Sequence, residues 1–111
     1  MEEGHVYVLA LEGNNFYVGW SAQVEGRIAS HFLGAGARWT MKHKSVSVVS
    51  VQPGSKVLES CVTISLMCKH GWEHVRGGNW TCVDMQKAPA CLTKAQHFAK
   101  IREGTECVEQ K

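Results

Sequence analysis

Two β-rich runs separated by a tight turn dominate the first twenty residues. His5 to Ala10 and Phe16 to Trp20 are rich in β-branched and aromatic residues, and Glu12-Gly13-Asn14-Asn15 between them supplies turn chemistry. A chain that begins this way is committed to a hairpin with one tyrosine on each strand, Tyr7 and Tyr17. Whatever follows must cover that hairpin, and 111 residues leave room for one domain and one core.

The covering elements can be read in order. Ser21 is placed to cap a helix whose apolar face is Val24, Ile28, Ala29, Phe32 and Leu33, stopped by Gly34 and Gly36. Ala35 to Lys44 reads as a basic, aromatic loop, and Ser45 to Val51 as a strand. Pro53-Gly54-Ser55 turns the chain into a largely buried helix, Val57 to His70, closed by Gly71. Trp72 to Trp80 is a loop. Residues 81–111 form a C-terminal extension with a last helix over Leu92 to Arg102, started near Pro89 and stopped by Gly104. The order β-β-α-β-α predicts a small α+β fold, a three-stranded antiparallel sheet flanked by helices, in a single domain over residues 1–111.

Composition narrows the function classes. No apolar run approaches the roughly 20 residues of a membrane span, and Met1-Glu2-Glu3-Gly4 has no hydrophobic segment of the signal-peptide kind. The cysteines, Cys61, Cys68, Cys82, Cys91 and Cys107, are odd in number and lack the spacing of a disulfide scaffold. Cys68, His70, His74 and Cys82 also lack the usual spacing of a structural zinc site. An intracellular protein, cytoplasmic or nucleoid/nuclear, is the expectation. From Gly26 to Arg102 eleven Lys and Arg face three acids, Glu59, Glu73 and Asp84. A basic middle between acidic ends suits a polyanionic partner.

With the hairpin and helices in place, His5-Val6-Tyr7 and Tyr17-Val18-Gly19 on paired strands resemble the two motifs of the GIY-YIG nuclease superfamily. Four further positions follow the same pattern. Arg27 lies on the first helix with His31 one turn on, Glu59 near the start of the next major helix, and Asn79 in Val75-Arg76-Gly77-Gly78-Asn79-Trp80. Gly34 to Val46, with Arg38-Trp39-Thr40 and Lys42 to Lys44, resembles a loop of small members. The likeness runs from about Gly4 to Trp80. His5 stands where the name motif has glycine, and Trp20 where many relatives carry lysine.

The resemblance implies a phosphodiesterase or endonuclease that uses one divalent ion, Mg2+ or Mn2+, held by Glu59. Magnesium needs only one or two protein carboxylates, because water and phosphate oxygens complete its shell. By the same likeness Arg27 binds the reacting phosphate, for which a guanidinium fork is suited. His31 relays a proton or holds phosphate, Tyr7 activates water, Tyr17 orients the phosphate, and Asn79 supports the site. Arg38, Trp39, Lys42, His43 and Lys44 read as a substrate loop, with cations for phosphates and an aromatic for stacking, and Arg76 is a further candidate of that kind. Each residue has a plain structural alternative: packed tyrosines, a solvated arginine, a half-buried histidine, an acid on a helix dipole, or an asparagine holding a turn. DNA is the expected substrate. The alternatives are the same chemistry on RNA or a cyclic nucleotide messenger, and an inactive nucleic-acid-binding module. A homodimer would give a single-site domain two active sites.

Overall fold

Both tyrosine-bearing runs are strands, β1 (His5–Leu11) and β2 (Asn15–Ser21), paired antiparallel in the computed structural model, which describes residues 4–90. Gly13 and Asn14 take positive φ in the turn, and Asn15 Nδ2 donates to the Glu12 carbonyl at 2.9 Å. Ser45–Pro53 forms β3, antiparallel to β1 on its other side.

The sheet differs from the expected three antiparallel strands. A fourth strand, β4 (Val75–Gly77), pairs parallel with Phe16–Val18 of β2 and makes the order β3-β1-β2-β4. Three residues ending in glycine are too short to show alternation, so nothing in the sequence separates β4 from a loop. Its parallel direction follows from the crossover through α3 (Lys56–His70), which packs on one face of the sheet before the chain returns. A 3-10 turn, Trp72–His74, joins α3 to β4.

The other face is covered by α1 (Val24–Phe32) and by α2 (Arg38–Lys42), a short helix in place of the expected loop. Ser21 does not cap α1. It still belongs to β2, its Oγ accepts the Gln23 N–H at 2.9 Å, and the helix begins at Val24. Both α1 and α3 stop at the expected glycines. The terminal helix expected over Leu92 to Arg102 lies outside the described residues.

Alternate residues of the hairpin build two cores. Tyr7, Leu9, Leu11 and Tyr17 pack with Trp39, Val24 and Ile28 on the α1/α2 side, while Val6, Val8 and Val18 pack with Leu58, Val62 and Leu66 of α3 on the other. Strand β3 adds pairing without core. Its register against β1 shifts between Val8 and Leu9 and again between Ala10 and Leu11, and Val46, Val48, Val49 and Val51 stay exposed. Among the described residues no helix is long and apolar enough to cross a membrane.

Candidate active site

The antiparallel register sets Tyr7 opposite Gly19 and Leu9 opposite Tyr17, so both phenols rise from the same face with ring centroids 6.3 Å apart. Gly19 makes this possible. A Cβ there would collide with the Tyr7 ring and hydroxyl, so the glycine of Tyr17-Val18-Gly19 is the floor on which Tyr7 lies.

Helix α1 brings Arg27 and His31 over the same face, since residues four apart share a helix side. Arg27 is exposed on α1, and its positive charge bears on both phenols, favouring their ionised forms. His31 is 1% exposed and sits between the tyrosine rings and α2. Its Nε2 lies 2.8 Å from Tyr7 Oη and its Nδ1 lies 2.8 Å from Thr40 Oγ1. Gly36 presses on the other side of the ring, where a Cβ would overlap Nδ1.

Burial sets the protonation of this group. It raises both phenol pKa values, for Tyr7 with help from Tyr17, while Arg27 pulls both down. Burial, with the Arg27 charge behind it, lowers His31 to about 4. At neutral pH the cluster is therefore two phenols and one neutral imidazole under a guanidinium.

Glu59 comes from the first turn of α3, which packs on the opposite face of the sheet. The backbone N–H groups of Gly78 and Trp20 favour its charged form. Burial raises the Glu59 pKa, opposed first by Lys56 and then by these two N–H groups. Its charge is felt by both tyrosines. Asn79 is exposed in the tight turn beside Gly78, closed by paired backbone bonds between Gly77 and Trp80 of 3.0 and 2.8 Å. The Trp20 side chain belongs to the α3 side: its indole donates to the Gly54 carbonyl at 2.7 Å, and Lys56 Nζ lies 5.3 Å from its ring centroid.

The expected substrate loop divides in two. Arg38, Lys42 and Lys44 are exposed. Trp39 is buried, donating its indole N–H to the Phe16 carbonyl at 2.9 Å, and its ring carries the Arg76 guanidinium on one side, 4.4 Å from centroid. It is a core residue, not a stacking platform. Arg76 is not a phosphate ligand either. Its guanidinium is consumed by the carbonyls of Cys82, Trp72, Val75 and Val83 at 2.7 to 3.1 Å, which clamp the segment after β4. His43 is half-buried, edge-on to Trp39, with Nδ1 3.3 Å from Asn15 Nδ2. A lone cation in a loop reads the same in sequence whether it faces solvent or a ring of carbonyls.

Thr40 and Gly36 have no role that can be read from the sequence. In the sequence Gly36 reads as a helix stop and Thr40 as one residue of Arg38-Trp39-Thr40, and neither reading shows the approach to His31. Among the described residues no group of three or more His, Cys, Asp or Glu is disposed to hold a metal. Any ion here would rest on Glu59 with water and substrate oxygens.

Over 49 residues, 44% of this chain, the sequence is 37% identical to a UPF0213 protein of Staphylococcus haemolyticus. The match spans 60% of that relative's length. No protein-family profile matches the chain, and no solved structure matches it.

Proposed function

We propose that the chain is a divalent-metal-dependent phosphodiesterase of the GIY-YIG type, an endonuclease acting on nucleic acid, with DNA as the favoured substrate. One observation carries this reading: two buried phenols on one face of the sheet, one of them 2.8 Å from a buried imidazole, with the charges of Arg27 and Glu59 bearing on both. Packing alone would favour phenylalanine at Tyr7 and Tyr17. Similarity to a UPF0213 protein, from a GIY-YIG-like family, points the same way.

Glu59 suits a single Mg2+ or Mn2+. It is partly buried, and burial makes its charge costly, so a cation would relieve it. When bound, such an ion supplies Lewis-acid polarisation of the phosphate and stabilises the leaving oxygen. The chain's own groups do the rest. Arg27 neutralises and orients the phosphate, with Tyr17 beside it. As the water oxygen bonds to phosphorus, the water gives a proton to Tyr7, Tyr7 gives its own to His31 Nε2, and the leaving oxygen departs with the electron pair of the broken P–O bond. Burial depresses His31 most and the Arg27 charge adds to it; substrate phosphate offsets the second part, which makes the imidazole a better acceptor. Arg38, Lys42 and Lys44 extend a cationic track for the rest of the strand.

The test is cleavage of plasmid DNA, single-stranded DNA, RNA and cyclic dinucleotides with Mg2+, Mn2+ or chelator. Metal-dependent products name the substrate class. Binding of nucleic acid with no cleavage under any metal would instead mark a catalytically inactive binding module.

A further inference from the structure

A row of polar groups leads away from Tyr7 into the protein, and the proton positions along it are forced. The far end is the Ala37 carbonyl, which also accepts the Met41 N–H at 3.0 Å and is held by the first turn of α2. A carbonyl can only accept, so the Thr40 hydroxyl, 2.9 Å away, must point its single proton there. Thr40 Oγ1 then has only lone pairs left for His31 Nδ1 at 2.8 Å, which requires the hydrogen of the neutral ring to sit on Nδ1. Nε2 is left with its lone pair, facing the Tyr7 hydroxyl at 2.8 Å, and the phenol donates to it.

We infer that Thr40 is a positioning residue that locks His31 in the Nδ1–H tautomer, so that the Nε2 lone pair is ready to take the Tyr7 proton. This rests on the reading of Tyr7 as the group that receives the water proton. The opposite tautomer would place an N–H against the phenol oxygen and leave Tyr7 no lone pair on His31 to discharge into. It would also set the Nδ1 lone pair against the lone pairs of Thr40 Oγ1. Because the Ala37 carbonyl is fixed by α2, the lock does not depend on substrate. After transfer the imidazolium keeps its Nδ1–H bond to Thr40, so the chain needs no rearrangement to hold the charge. Gly36 complements the lock by letting the loop close on the ring.

The first measurement is a long-range 1H–15N correlation spectrum of the histidines at neutral pH, with His31 assigned by substitution. The expected result is a pyrrole-type Nδ1 and a pyridine-type Nε2 for His31. A pyridine-type Nδ1 in the wild type overturns the inference, whatever the protein's activity. Thr40→Val, which removes the hydroxyl at nearly constant volume, should shift His31 away from the Nδ1–H form. It should also slow cleavage by ~10²–10⁴-fold, the cost of a misdirected proton acceptor. Thr40→Ser should restore both. A valine variant that keeps the wild-type tautomer and rate would overturn the inference, as would a serine variant as slow as valine with its melting temperature intact. Failure of the nuclease reading shows separately, as an absence of cleavage in every variant while the histidine spectrum still reports the tautomer.

Discussion

The two faces of the β1–β2 hairpin are made by alternate residues of the same strands, yet they carry opposite chemistry. Toward α3, Val6, Val8 and Val18 meet Leu58, Val62 and Leu66, an apolar cluster that excludes water without directional demands. Toward α1 and α2, Tyr7 and Tyr17 meet His31 and Thr40, and the buried chain from phenol to carbonyl is satisfied link by link. The first face tolerates any well-packed hydrophobe. The second fixes atoms, because a buried polar group without its partner costs about 1–3 kcal/mol. Glu59 is the exception that joins them: its helix covers the apolar face, yet its charge bears on both tyrosines of the polar face.

The contrast is broken most sharply by paired substitutions. Tyr7→Phe should reduce cleavage by ~10²–10⁴-fold and also cost about 1–3 kcal/mol of stability, because the buried Nε2 of His31 is deprived of its donor. On the other face, Met67→Ala should cost about 2–5 kcal/mol in stability yet leave the rate per folded molecule unchanged, since Met67 is fully buried against Val75. Equal kinetic losses in the two variants, measured below both melting temperatures, would erase the division of labour.

A finer probe leaves every polar atom in place. Gly36→Ala puts a methyl against the His31 ring and should slow cleavage by up to ~10²-fold through displacement of the imidazole alone. A wild-type rate would mean that the loop yields and the ring position is not held from that side.

How far this division is legible in the sequence depends on the kind of signal involved. The hairpin, α1, β3 and α3 announce themselves through periodicity, turn residues and glycine stops, all local along the chain. Tyr7, Tyr17, Arg27, His31 and Glu59 can be named only through the family resemblance, which assigns each a place within such an element, and the structure sets Tyr7, Tyr17 and His31 in contact. Trp39 and Arg76 read as substrate-binding residues until tertiary packing shows a buried indole and a guanidinium surrounded by four carbonyls. Strand β4 carries too few residues for a pattern. Thr40 matters through one hydroxyl aimed across nine residues at a ring, a relation that no spacing encodes.

Titration sharpens the comparison further. His31 stays neutral in the folded state down to about 4, while an unfolded imidazole gains its proton near 6.5. Between those values the unfolded chain binds more protons, so the stability due to this group is complete above 6.5 and declines as pH falls toward 4. Melting curves over this window should show the decline, and His31→Asn should flatten it relative to the wild type. An unchanged slope in the variant would move the titration elsewhere.

The smallest effect belongs to the exposed cations. Lys42→Ala and Lys44→Ala should weaken nucleic-acid binding uniformly across sequences, each lowering the salt slope by about 0.9, the share of one neutralised phosphate on a duplex. Unchanged slopes would remove these lysines from the binding track.

The central claim is that the tyrosine face cuts phosphodiesters with a metal held by Glu59. Its most direct test compares the wild type with Glu59→Ala for cleavage in Mg2+ or Mn2+, with binding and folding measured on the same samples. Metal-dependent cleavage that vanishes in the variant, with binding and melting temperature preserved, is the predicted result. A variant that cuts at the wild-type rate would contradict it.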